Sequence, residues 1–357
     1  MSHSTRFFLA ANSPRGFVSF FDELYNPYTD RQPYIIKGGP GTGKSTLMKK
    51  IASALSASGK STEEIYCSSD PKSLDGLICP DISFAIGDGT SPHVLEPKFP
   101  GAAENIINLG QFWDENILRE NKDAIISLTL ENSLYHRRST ACLSAAGKLI
   151  NQNRAAVSDF VNEEKISSFV TRFTMRELGK RSVSAPGRRI RRFLSAVTHE
   201  GIVFFGDTVT SLASRIIGIS DSCGELSSRL TERIGEAAIT RGFDVIFCPS
   251  PLYPDTAEHI IIPEKHLALV TLSKEIPCGA MCDRVIHCER FLKKDMNESR
   301  QLMRLNSRLS RELIAACVGY LKKAKDTHDL LENEYARAMD YNALTEYTEN
   351  FVNKLGI

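Results

Sequence analysis

The sequence predicts an α/β fold made twice over, as two tandem units. Each is a mostly parallel sheet with flanking helices and a long helical segment. Three observations predict it. A glycine-rich loop stands between a β-prone run and a helical run at residues 34–55. The second half of the chain repeats landmarks of the first. Each half ends in apolar residues at helical spacing.

The loop comes first. Tyr34 to Thr46 reads YIIKGGPGTGKST, in which Gly38, four residues, then Gly43, Lys44 and Ser45 match the phosphate-binding loop (P-loop) pattern. Gly38, Gly39, Gly41 and Gly43 let backbone N–H groups turn inward as a nest for a polyphosphate, with Thr42 and Thr46 in the same stretch. The next helix directs its N-terminus at the same anion. Lys44 reaches the β- and γ-phosphates, and the Ser45 hydroxyl is placed for Mg²⁺. Context agrees: Pro33 precedes the strand Tyr34–Ile36, Leu47, Met48, Ile51, Ala52 and Leu55 recur at helical spacing, and Gly59 suits a C-terminal cap. The implied ligand is a nucleoside triphosphate, ATP, with Mg²⁺. Both units are therefore expected to be P-loop NTPase-like.

Bulk properties bound the rest. At 357 residues the chain is long for one domain and comfortable for two. Its 44 basic and 43 acidic residues leave no charge excess to suggest a nucleic-acid partner or a membrane surface. No apolar run approaches the roughly 18–20 residues of a membrane span, and MSHSTRFFLAANSPRG lacks the apolar core of a signal peptide. Nine cysteines beside such a loop read as reduced thiols of a cytoplasmic protein, not as a disulfide framework.

In chain order, residues 7–21 (FFLAANSPRGFVSFF) read as a packed segment leading into a helix around Phe17–Leu24. After the loop helix, Glu64–Cys67 is a second strand, Lys72–Gly76 a turn or short helix, and Ile82–Ile86 a third strand. Asp88 follows that strand, where P-loop enzymes keep an Asp for Mg²⁺. Gly87 interrupts the apolar run, so an Asp-Gly turn is the competing reading. Asp70 lies past the second strand, at the sheet edge where α/β proteins bind ligands. It is placed either to receive a hydroxyl proton from a phosphoryl acceptor or to make an Asp-Pro turn. His93 reads as a surface histidine before a phosphate contact.

A helical insertion spans about 114–165, N-capped by Asp114 and broken into two helices near Arg138-Ser139-Thr140. It would project from the core or cover it as a lid. Arg137-Arg138 reads as a solvated helix end, or alternatively as arginine fingers. Residues 179–192, GKRSVSAPGRRIRR, mark the domain boundary as a basic, solvated linker, giving units 1–185 and 186–357, the second ending in helices at about 296–350. The helical segments offer surface to a protein partner or to self-association.

Past the boundary the landmarks return. Arg192–Asp207 echoes Phe7–Asp22, Arg215-Ile216-Ile217 matches Tyr34-Ile35-Ile36, and Gly224 matches Gly43. Ile234–Gly242 matches Ile51–Gly59, Cys248 matches Cys67, and Pro263 matches Pro80. Aligned on the two glycines, Lys44 becomes Glu225, Ser45 becomes Leu226 and Gly38 becomes Ile219. Asp221 and Glu225 would repel a polyphosphate, so the second loop is expected not to bind ATP. Leu267–Leu272, the counterpart of the Asp88 strand, ends without an Asp. The cluster Cys278, Cys282, His287, Cys288 has none of the common zinc spacings and reads as ordinary thiols.

On FLAANSPRGFVSFFD, YIIKGGPGTGKSTLMKKIA, YCSSDPKSLDG, AIGDGTSPH and the repeated helical tail, the chain resembles a bacterial family of tandem P-loop proteins labelled ATPase or nucleotide kinase. The resemblance covers nearly the whole chain. It implies two similar α/β domains and ATP binding at Gly38–Thr46. The leading expectation is a Mg²⁺-dependent ATPase with an inactive second copy. The alternatives are a small-molecule or nucleotide kinase using Asp70, and a non-catalytic nucleotide switch.

Overall fold

The computed structural model describes residues 4–24, 32–90, 95–179, 185–273, 282–293 and 296–356. Short β-prone runs bounded by Gly, Pro and Asp supply the strands, and longer apolar-periodic stretches supply the helices. The first half runs β1 (Ser4–Phe7), β2 (Ala10–Ser13), β3 (Gly16–Ser19), β4 (Gln32–Lys37), α1 (Lys44–Ala57), β5 (Thr62–Tyr66), β6 (Leu74–Cys79), β7 (Phe84–Asp88), β8 (Asn105–Asn108), α2 (Glu115–Glu120), α3 (Lys122–Ser158) and α4 (Glu163–Glu177). The second runs β9 (Arg189–Arg191), β10 (Ser195–Thr198), β11 (Gly201–Phe204), α5 (Gly206–Leu212), β12 (Arg215–Ser220), α6 (Glu225–Thr240), β13 (Val245–Ser250), β14 (Tyr253–Ile262), β15 (Leu267–Leu272), β16 (Arg284–His287), α7 (Asn297–Ala336) and α8 (Tyr341–Lys354).

The two six-stranded sheets have one topology. The first is ordered β1-β5-β6-β7-β4-β8, the second β9-β13-β14-β15-β12-β16. In each, a single strand (β6, β14) runs against the other five. Even the register repeats. Gln32 pairs with Phe84 as Arg215 pairs with Leu267, an offset of 183 in both strands. The only described non-glycine residues with left-handed φ are Ser83 and His266, which stand at the same offset, each closing a turn that opens on Pro80 or Pro263.

The halves meet on a pseudo-twofold axis. Phe8 N–H donates to the Phe193 carbonyl (2.9 Å) and Phe193 N–H to the Phe8 carbonyl (2.8 Å). Such an isologous contact joins equivalent residues reciprocally. The same symmetry stacks Phe8 on Phe205 and Phe193 on Phe20, with ring centroids 4.5 and 4.7 Å apart. It also pairs Arg6 with Asp207 and Arg191 with Asp22. One apolar core runs through both halves here.

The helical tails are exchanged. α3 and α7, of 37 and 40 residues, lie antiparallel: Asn132 Nδ2 donates to the Ala324 carbonyl, and Asn153 Nδ2 to that of Met303. α4 then packs Ile166 and Phe173 against Leu226, Leu230 and Ile234 of α6 in the second half. α8 packs Leu344 and Phe351 against Leu47, Met48 and Ile51 of α1 in the first. Among the described residues, no helix is long and apolar enough to cross a membrane.

Several expectations need correction. Phe17–Leu24 is not a helix: β3 completes a hairpin with β2, and only Phe21–Glu23 forms a 3₁₀ turn. Lys72 and Ser73 do form a turn, but Leu74–Gly76 opens β6, a fully buried strand whose Asp and Gly hide its β character. α3 is continuous through Arg138-Ser139-Thr140, because α7 packs along it and Ser139 is buried there. The basic stretch is no solvated linker from Arg188 onward. Arg188 pairs with Asp244, Arg189 with Glu232 and Glu236, and Arg192 with Glu23 and Glu63.

Phe8 is wholly buried on the axis, so Phe8→Ala should cost about 3–5 kcal/mol. Urea unfolding followed by far-UV CD should show one shared transition at a lower midpoint, not the loss of one half alone.

Candidate functional site

Each sheet positions a loop where its central parallel strand gives way to a helix. In the first half Gly43 sits at φ 82°, left-handed backbone that suits glycine, and α1 starts at Lys44. The Lys44 ammonium turns back over the loop, donating to the carbonyls of Gly38 (3.1 Å) and Gly39 (2.7 Å). Thr42 is buried, and its hydroxyl also donates to Gly39 (2.8 Å). The Ser45 hydroxyl accepts the Leu74 N–H (2.9 Å). Thr46 is exposed.

Asp88 ends β7, the parallel neighbour of β4, and pairs in register with Ile36. Its carboxylate lies 3.7 Å from Lys44 Nζ and accepts the backbone N–H and hydroxyl of Thr90. Burial pushes the Asp88 carboxyl above the ordinary range. Lys44 and Thr90 oppose the shift, and the buried Asp75 on β6 adds to it. Asp75 was not legible as a site residue while its segment read as a turn. The signal was there: one acid inside the apolar run Leu74–Cys79.

The loop is covered. A methyl group on Gly39 would lie 2.6 Å from the Tyr335 ring, one on Gly41 2.6 Å from the Glu332 carbonyl, and one on Gly43 2.7 Å from Leu344. The Tyr341 hydroxyl donates to the Gly41 carbonyl (2.9 Å). All four covering residues belong to the α7–α8 corner. They came to this loop by the tail exchange, which no local pattern announces. Asp70 stands beside this corner, 3.4 Å from Lys325 Nζ, and accepts the Lys72 N–H (3.0 Å). Its carboxylate is thus engaged in an ion pair and a turn.

Arg137-Arg138 does not reach the loop. Arg138 lies over Tyr320 on α7, twelve residues from Glu332, or about 18 Å along the helix. His93 and Cys278 lie outside the described residues. Among those described, no three His, Cys, Asp or Glu side chains gather to hold a metal.

The second loop closes on itself. The sheet register puts Ile219 inside β12, paired with Thr271 and Ile286, so it does not replace Gly38. The loop between strand and helix is only Asp221–Gly224, against Gly38–Gly43 in the first half. The register also matches Cys248 with Ile65, not Cys67. Asp221 is buried and accepts the N–H groups of Cys223 (3.2 Å) and Ser227 (2.8 Å). Its carboxylate therefore occupies the helix N-terminus as an internal anion. Arg154, at the end of α3, donates to the Gly224 carbonyl (2.6 Å), pairs with Glu225 (3.1 Å) and stacks on Tyr253. Equivalent positions of the exchanged helices thus make different contacts: the Glu332 backbone carbonyl covers Gly41 while its carboxylate pairs with His328, and the Arg154 side chain lies on Glu225.

Comparisons of the chain with protein-family models, curated proteins and solved structures returned no match.

The raised Asp88 carboxyl means that folding favours its protonated form, so ionised Asp88 costs stability as pH rises above 3.8, its ordinary value. Asp88→Asn should remove that cost, leaving the melting temperature at neutral pH unchanged or higher. Arg154 and Glu225 are both nearly buried, and Glu225 also pairs with Arg229 (2.8 Å), so Arg154→Ala leaves Glu225 with one cation and should cost about 1.5–3 kcal/mol in urea unfolding, as for the loss of a hydrogen bond to a charged group. Arg154→Ala with Glu225→Ala should cost less than the sum of the two single substitutions, the difference measuring the coupling of the pair.

Proposed function

We propose that the first half binds MgATP at Gly38–Thr46 and hydrolyses it there, and that the second half is a non-binding structural and regulatory copy. One observation carries this reading: the Lys44 ammonium and the buried Asp88 carboxylate converge at one loop mouth, at the N-terminus of α1. Lys44 would exchange the Gly38 and Gly39 carbonyls for phosphate oxygens and neutralise charge on the transferring phosphoryl group. Gly38, Gly39, Gly41, Thr42, Gly43 and Thr46 would form the nest and its rim. Ser45 and Asp88 would hold Mg²⁺, which supplies charge neutralisation between the terminal phosphates. Asp70, held by Lys325, fits a turn better than an acceptor base, so a kinase is not favoured. The described cysteines are free thiols, which suits a reducing compartment, and we place the protein in the cytoplasm.

The cover over the nest favours a switch-like component. Tyr335, Tyr341 and Leu344 stand where a nucleotide must enter, so binding and the position of the α7–α8 corner are thermodynamically linked. The corner then has two positions, and ATP biases it toward the open one. A protein partner or a second copy could read that position on the exposed helical surface.

Radiolabelled ATP tests the reaction. Free phosphate as the labelled product supports hydrolysis; a labelled metabolite would sink it in favour of a kinase; tight binding without product leaves the switch alone. Lys44→Ala should weaken ATP binding by more than about tenfold, as expected for loss of a charge-assisted contact. Glu225→Ala should leave ATP affinity nearly unchanged. The one tryptophan, Trp113, bridges to Met339 and packs on Tyr335, so its fluorescence should change with ATP in the wild type and not in Lys44→Ala. Tyr341→Phe should tighten ATP binding about fivefold by removing one hydrogen bond of the closed corner.

A further inference from the structure

We infer that the second half carries a separate site for a small polyphosphorylated ligand, in the groove between α4 and the sheet-edge strand β16. The groove holds about 350 Å³ and is lined by Arg172, Arg176, Arg284 and Arg290, a size suited to one small molecule. All four arginines are exposed. Arg176 leans on Glu177, which also holds Arg215. Arg172, Arg284 and Arg290 make no ion pair with a described carboxylate. The whole chain carries only one net positive charge, so this concentration of guanidinium is local and does not follow from composition.

The repeated fold provides an internal control. Asn162 and Asp340 cap α4 and α8 at equivalent positions, which aligns Phe173 with Phe351, Arg172 with Asn350 and Arg176 with Lys354. The β16 and β8 registers align Arg284 with Asn105, and hence Arg290 with Gln111 and Phe291 with Phe112. The aromatic core under the groove is thus kept in both halves, whereas three of the four arginines are uncharged in the first. The fold does not need these charges to pack α4. Their crowding is unfavourable: partial burial, then the neighbouring Arg176, Arg215 and Arg290, press Arg284 below its ordinary value, and the Glu177 carboxylate opposes the shift without cancelling it. A multivalent anion would relieve that repulsion, and guanidinium forks match phosphate oxygens. The groove does not suit a stacked single strand. Of its two lining phenylalanines, Phe173 is buried and Phe169 already packs against Phe173, Phe291 and Arg290, so no row of exposed rings is offered to successive bases.

Inorganic tripolyphosphate is the probe, titrated calorimetrically into the full chain carrying Lys44→Ala so that the first loop contributes least. This inference does not rest on ATP binding at that loop. Saturable binding that falls at least tenfold in Arg172→Gln with Arg284→Gln, at an unchanged melting temperature, supports the site. Arg284→Lys should give an intermediate loss, since charge is kept and the fork is not. No saturable binding overturns the inference, as does binding indifferent to the double substitution. A twelve-nucleotide single-stranded RNA that binds more tightly than tripolyphosphate, with the same arginine dependence, also overturns it in favour of a polymer groove.

Discussion

The reciprocal hydrogen bonds between Phe8 and Phe193 are the constraint on which the molecule depends. They fix two copies of one sheet topology about an axis through the chain's own core. Cross-axis contacts then recur in pairs, among them stacked phenylalanines and Arg–Asp bridges. A single chain thereby obtains an interface like that of a symmetric dimer, without dependence on concentration. The axis also makes the tail exchange self-consistent. Because α3 and α7 run antiparallel, each ends on the half opposite to the one it left, and α4 and α8 cover the other half's loop helix.

Much of this was legible where chemistry is local. The loop between β4 and α1 was legible because Gly38–Gly43 separates a β-prone run from an apolar-periodic one. The repeat was visible because turn-forming landmarks such as Pro80 and Pro263 recur. What stayed hidden is what tertiary structure decides. β6 contains Asp75 and Gly76, poor strand formers, yet it is held between β5 and β7 and buried throughout. Arg188–Arg192 looks like a solvated charge run, and only the fold brings Glu23, Glu63, Glu232 and Asp244 to it. The corner over Gly39–Gly43 arrives from nearly three hundred residues away.

The two loops show how one backbone plan reaches two electrostatic solutions. Reading Asp221 and Glu225 as charges that repel a phosphate caught the sign and missed the arrangement. Asp221 does not confront an incoming anion; it has taken the anion's place on the helix N-terminus. With the loop shortened to Asp221–Gly224, no nest remains for repulsion to guard. The first loop has no such internal carboxylate. Its lysine instead rests on its own carbonyls, which carry no net charge, with the Asp88 carboxylate 3.7 Å away. One loop is electrostatically complete, and the other is held by contacts that a stronger anion can displace.

That asymmetry gives the long helices a direction. The α3 end is fastened at the second loop by a buried ion pair, a cation–π contact and a carbonyl bond, all through Arg154. The α7–α8 corner at the first loop is held by one exposed tyrosine bond and close packing. Breaking the first set costs about 1.5–3 kcal/mol, whereas one such hydrogen bond contributes about 1 kcal/mol. A perturbation shared along the antiparallel pair would therefore open the corner and leave the Arg154 end in place. On the proposed reading the second half is the anchor, and movement would be confined to the end of the helix pair beside Gly38–Gly43.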